Sequence, residues 1–197
     1  MAENMLGAEA LPGEPLVIDT HQLARRPGTM LEFKKTVPAP PDLRNEMIGI
    51  PAGDPLTVGL RLESVLEGIL VTGVVRGVAV GECSRCLEPV TETVTARVNE
   101  LFVYPERAQA AYEAGDDADD GEDLAVLDGD TANIEPAIRD AIVTALPFRP
   151  LCQEECQGLC PQCGARLDEN PDHFHEVADP RWSALHAVLA EHGTKES

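Results

Sequence analysis

Aromatic side chains are scarce in this chain of 197 residues, which has four Phe, two Tyr and one Trp. Aliphatic side chains must therefore do most of the interior packing. Positive charge is also in short supply: 15 Lys and Arg stand against 35 Asp and Glu, a formal net charge of −20. That is far from the basic character of a free-standing nucleic-acid binder. It suits solubility, repulsion of other polyanions, or attraction to a basic partner. No apolar run is long enough for a membrane span, and Met1–Pro15 lacks a basic segment followed by an apolar core. A cytoplasmic protein without a membrane partner is expected. The length suits one ordinary domain, or one domain with a small appendage.

What the chain does have is cysteine, concentrated near its C-terminal end. Four of six cysteines, Cys152, Cys156, Cys160 and Cys163, fall within one short stretch. Cys160-Pro-Gln-Cys163-Gly164 has the form of a metal-binding knuckle: two thiolates two residues apart reach one ion, and Gly164 permits a positive φ where the chain leaves. In a reducing compartment such a cluster favours a metal over disulfides. Zinc is the expected ion, held structurally, because thiolates select it over hard cations and no water position or neighbouring general base is evident.

Residues 1–15 are small, acidic and broken by Gly and Pro, and are expected to be disordered. Residues 16–105 are expected to form an antiparallel β domain. Leu56, Val58, Leu60 and Leu62 alternate with polar residues; Ile69–Val80 is apolar on both faces, with Gly73, Gly77 and Gly81 on one side; and Val90, Val94, Ala96, Val98 and Phe102 alternate again. Short connections between three such strands imply a meander. Cys83-Ser-Arg-Cys86 falls at the second reversal, away from the helix start that would activate a redox dithiol. Residues 106–132 read as an acidic linker, since Glu113–Asp130 holds nine acidic residues and no basic one. In residues 133–197, Asn133 is placed to cap a helix with Ile134, Ile138, Ala141, Ile142 and Ala145 on one stripe. Asp179-Pro-Arg-Trp182 opens a second, with Trp182, Leu185 and Leu189 on its core face.

Two ligand schemes compete for the metal. In one, Cys152, Cys156, Cys160 and Cys163 close a local site by reversing at Gln157-Gly158-Leu159. In the other, Cys160 and Cys163 join Cys83 and Cys86, stapling the meander to the C-terminal part; His173 and His175 are further alternative ligands. The one basic cluster, Arg25, Arg26, Lys34, Lys35 and Arg44, is either a solvated face or a contact for RNA phosphates.

The order of the Val/Leu-rich β segment, Cys83-Ser-Arg-Cys86-Leu87, the acidic gap, a helix ending Ala145-Leu-Pro147, Cys156-Gln-Gly-Leu-Cys160-Pro-Gln-Cys163-Gly164 and Asp179-Pro-Arg-Trp182 resembles the large ribosomal RNA subunit accumulation proteins, the YceD-like family. The likeness spans roughly residues 16–190 and is specific at the two cysteine motifs. It implies a non-enzymatic role in accumulation, processing or stability of large-subunit (23S) ribosomal RNA, with a metal site. Some relatives carry further cysteines where this chain has His173-Phe174-His175. The expected fold is α+β: an antiparallel β meander or partly closed barrel, followed by a small helical, zinc-stapled C-terminal part. The expected partner is a large-subunit ribosomal RNA precursor or a basic ribosomal protein, with no small-molecule substrate. Two rival functions are an acidic, chaperone-like binder of a basic ribosomal protein and a thiol oxidoreductase using Cys83 and Cys86.

Overall fold

The computed structural model describes residues 6–23, 25–113 and 124–175. In chain order its strands are β1 (Leu6–Gly7), β2 (Ala10–Leu11), β3 (Glu14–Asp19), β4 (Met30–Pro38), β5 (Leu43–Arg44), β6 (Ile48–Ile50), β7 (Pro55–Ser64), β8 (Gly68–Glu82), β9 (Pro89–Val103) and β10 (Thr131–Asn133). The helices are α1 (Pro105–Glu113) and α2 (Glu135–Ala145). The alternation expected of residues 56–102 is realised as β7, β8 and β9, an antiparallel meander.

Strand β8 is the spine. Along one edge β9 pairs with its whole length, from Gly68 opposite Val103 to Glu82 opposite Pro89. On the other edge β7 covers Ile69–Arg76 and β6 covers Val80–Gly81. Two strands fit side by side there because β8 is glycine-bearing where they approach: a Cβ at Gly81 would stand 2.3 Å from the Met47 carbonyl oxygen. Beyond β7, β4 continues the sheet in antiparallel register, and β1 adds to its edge in parallel.

One face of this sheet is aliphatic, as the shortage of aromatics requires. Phe33, Leu56, Val58, Leu62, Val71, Val75, Val94 and Val98 are buried on it. Helix α2 packs along β9 with Ile138 and Ile142 buried, so the predicted stripe is the contact face. Asn133 Oδ1 accepts the Glu135 N–H at 3.1 Å, but the N-cap position falls one residue later than expected, at Ile134, which supplies no side-chain cap. A small antiparallel sheet of β10, β3 and β2 completes the core, with Ile18 and Ala132 fully buried.

Further expectations need correction. The sheet does not close into a barrel: its path runs from β1 to β5 with β9 as a branch on β8, and α2 packs against β9. Nor is 106–132 a linker throughout. Residues 105–113 are helical, and residues 124–130 return to the core, where Val103 donates to the Ala125 carbonyl at 2.8 Å and Leu127 donates to that of Val103 at 3.0 Å. Leu127 is only 3% exposed. The apolar run Leu124-Ala-Val-Leu127 overrides the charge around it. The expected second helix around Trp182 lies outside the described residues, as do residues 1–5 of the 1–15 stretch expected to be disordered, whereas residues 6–15 contribute β1, β2 and the start of β3.

Candidate metal centres

The turn between β8 and β9 is closed by two backbone bonds, Cys83 N–H to the Glu88 carbonyl at 2.7 Å and Leu87 N–H to the Cys83 carbonyl at 3.0 Å. Leu87 takes a positive φ of 61° to make it. Cys83 and Cys86 thus sit on one knuckle, away from any helix start. The segment after α2 docks onto this turn: Ser84 N–H donates to the Pro150 carbonyl at 2.9 Å, Leu159 N–H to the Arg85 carbonyl at 3.2 Å, and Arg85 Nη1 to the Cys156 carbonyl at 2.6 Å. Gly158 is required here, because a Cβ on it would stand 2.9 Å from the Arg85 carbonyl oxygen.

This docking brings together Cys83, Cys86, Cys152 and Cys156, whose sulfurs all lie within 4.8 Å of one another. Cys83 and Cys156 Sγ are 3.8 Å apart, Cys86 and Cys152 Sγ 3.5 Å. Four thiolates around one zinc at about 2.3 Å would be spaced by about 3.8 Å. The thiols divide in acidity. Burial opposes the Cys83 thiolate, but the amide N–H groups of Arg85, Cys152 and Cys86 outweigh it and bring the thiol down to about 6. Burial and the adjacent Cys86 thiol push Cys156 up to about 12. The Cys86 thiol and then burial raise Cys152. Four thiolates cannot ionise together in so small a volume without a cation among them, and a divalent ion removes that conflict.

Positive charge flanks this group. Arg166 Nη1 pairs with Glu88 Oε1 at 2.5 Å, while its Nε is buried without a hydrogen-bond partner, although 3.3 Å from Glu169 Oε1. Burial works against the Arg166 charge, but Glu88, Glu169 and the thiols of Cys86 and Cys152 prevail and raise its pKa. A divalent ion on four thiolates carries a net charge of about −2, which Arg85 and Arg166 offset.

The second group comprises Cys160, Cys163, His173 and His175, with donor atoms again within 4.8 Å of one another. The Cys160–Gly164 knuckle forms as its spacing predicts: Gly164 has φ 73° and donates to the Cys160 carbonyl at 2.9 Å, and Cys160 N–H donates to that of Ala165 at 2.8 Å. The amides of Gln162 and Cys163 draw the Cys160 thiol down to about 6.

The structure sorts the sequence-predicted ligands into two groups. Cys152 and Cys156 are not gathered with Cys160 and Cys163, because residues 157–159 run along the Cys83–Cys86 turn instead of reversing. The β-meander knuckle does reach the C-terminal segment, but meets Cys152 and Cys156 there. Nothing in the local spacing marks Arg85 and Arg166 as companions of the thiols.

The five candidate RNA-contacting cations do not form one face. Arg25 pairs with Glu106 at 2.5 Å and lies 4.6 Å over the Tyr104 ring. Lys34 is on the outer sheet face, paired with Glu32 at 2.6 Å; Lys35 is on the opposite face, 5.6 Å over Phe33. Arg26 lies in the loop before β4, and Arg44 lies on β5, where its Nε donates to the Asn45 carbonyl at 3.3 Å. Among the described residues no helix is long and apolar enough to cross a membrane.

Comparison with known proteins places these features. The family model described as large ribosomal RNA subunit accumulation protein YceD matches residues 71–189, which include both cysteine groups. An uncharacterized protein of Mycobacterium tuberculosis is 43% identical over 175 residues, covering 89% of this chain and 82% of its own. YlbN of Bacillus subtilis is 26% identical over 178 residues, covering 87% and 95%. The large ribosomal RNA subunit accumulation protein YCED homolog 1, chloroplastic, of Arabidopsis thaliana is 24% identical over 167 residues, covering 74% of this chain and 52% of its own. No solved structure matches. With the family model spanning more than half of its length and both of its cysteine groups, the chain belongs to the YceD family of large ribosomal RNA subunit accumulation proteins.

Proposed function

We propose that this protein supports the accumulation, processing or stability of large-subunit (23S) ribosomal RNA during ribosome assembly in the cytoplasm, by binding and without catalysis. The family match over residues 71–189 is the observation that carries this reading. A zinc ion held by Cys83, Cys86, Cys152 and Cys156 serves it structurally, stapling the β8–β9 turn to the segment after α2. Thiolate donors favour zinc over hard cations, and four of them fill its coordination without a water position.

The partner is a protein-containing large-subunit precursor or a basic ribosomal protein in preference to naked RNA, since a net charge of −20 opposes approach to a polyanion. Where RNA backbone is touched, the outer sheet face is the favoured surface. Strand register places Lys34, Gly59, Val74 and Arg97 in one row and Thr36, Thr57, Arg76 and Thr95 in the next. Arg76 and Arg97 are diagonal neighbours on that face, and no ion pair engages them among the described residues. Affinity capture at low and moderate salt tests the reading: large-subunit precursor RNA should be recovered together with ribosomal protein. Recovery of neither, or tight sequence-selective binding to protein-free RNA, would contradict it.

The rival reading is a thiol oxidoreductase using Cys83 and Cys86, against which stands the complete burial of Cys83. Redox titration separates the two readings. A catalytic pair gives a reversible dithiol couple, whereas a structural site releases its metal as the thiols are modified.

A further inference from the structure

The proposed zinc staple makes no use of Cys160, Cys163, His173 and His175. His173 Nε2 lies 3.3 Å and His175 Nε2 3.2 Å from Cys163 Sγ, and the two Nε2 atoms are 2.9 Å apart. A tetrahedral zinc, with ligand distances of about 2.3 Å to sulfur and about 2.0–2.1 Å to nitrogen, would set mixed donor pairs about 3.5 Å apart and the nitrogens about 3.3 Å apart. The rings meet edge to face, 83° between planes, and both bring Nε2 to the Cys163 sulfur.

The residue between them sharpens the inference. Phe174 is 79% exposed, while half-buried His173 and exposed His175 on either side of it both bring Nε2 to Cys163 Sγ. Hydrophobicity alone would bury the phenyl ring and gives no reason for the two imidazoles to meet at one thiol. The arrangement is the one a shared ion would impose.

We propose that the chain binds a second zinc-like ion at Cys160, Cys163, His173 and His175, independent of the first and more readily exchanged. The two groups share no donor. Two thiolates and two neutral imidazoles balance a divalent ion, so this centre needs no flanking cation, unlike the four-thiolate group beside Arg85 and Arg166. Exchange is easier here because only Cys160 is buried, whereas three of the four sulfurs of the other group are. On binding, thiol protons leave to solvent and no electron is transferred. The inference shares the thiolate chemistry of the staple but is independent of the ribosomal role.

The test uses the full chain, reloaded with zinc and desalted, followed by elemental analysis. Two ions per wild-type chain are expected, and one in a His173→Ala/His175→Ala variant and in a Cys160→Ser/Cys163→Ser variant. The histidine variant alters residues on a partly or fully exposed segment, and its circular dichroism should match wild type. A chromophoric chelator should remove the wild-type zinc in two equal phases, the faster absent from the histidine variant. Cobalt(II) in that variant should retain the intense thiolate charge-transfer band of a four-sulfur centre. One ion per wild-type chain would overturn the proposal, and whether the histidine variant keeps that ion decides separately whether the staple survives. Two ions kept by both variants, or both lost together from the histidine variant, would equally overturn it.

Discussion

Arg166 shows what a single residue contributes beside the thiols. Its guanidinium bonds Glu88 on the β-meander turn while its charge faces Cys86 and Cys152, so it acts on both geometry and electrostatics of the four-cysteine group. Partners of metal ligands typically change affinity by about tenfold to a hundredfold when removed. Arg166→Met, which keeps the stem and removes the charge, should weaken zinc binding at this group by about that factor, read by chelator competition. Unchanged affinity would show that the cation is incidental. Cys83→Ser should lose the ion at this group and lower the melting temperature, because the crosslink between residues 83–86 and 152–156 is lost while its desolvation cost remains. The sequence displayed both knuckles but not which would meet. Spacing along the chain determines that Cys83 and Cys86 can share an ion; their union with Cys152 and Cys156 depends on how the segment after α2 lies on the sheet. Periodicity does not report that.

At the scale of elements, the legible parts were those whose periodicity was strong and whose burial was one-sided. Strands β7 and β9 alternate because one face meets the core, and α2 carries a single isoleucine stripe. The apolar segment Leu124–Leu127 was hidden by the acidic composition around it. A charge count over residues 113–130 describes solvation, yet this short segment pairs its backbone with Val103 and buries Leu127, with Ala125 packed partly beside it, while Leu124 and Val126 stay exposed. Leu127→Ala should therefore destabilise the protein by about 2–5 kcal/mol, the usual range for a buried leucine. Denaturant unfolding measures it, and a change within about 0.5 kcal/mol, as at an exposed site, would restore the linker reading. The absence of barrel closure is likewise an element-scale result. Alternation in β9 shows a buried face but does not say whether a strand or a helix covers it.

For the whole molecule, charge and fold act in opposite senses on any RNA contact. The chain repels polyanions at a distance, while Arg76 and Arg97 place two cations side by side on the open sheet face. Arg76→Glu/Arg97→Glu should leave folding intact and reduce recovery of large-subunit precursor. If each arginine meets one phosphate, the salt dependence should fall by about one unit of slope per residue. Full recovery by the double variant would move the contact elsewhere. The central claim is that this protein sustains large-subunit ribosomal RNA, and depletion of the chain in its own cells tests it most directly. The measurement is the ratio of large- to small-subunit ribosomal RNA before and after depletion, with the wild-type chain restored in parallel. A ratio that falls on depletion and recovers with the restored chain is the predicted result; a ratio that stays constant while the chain is absent would contradict the account.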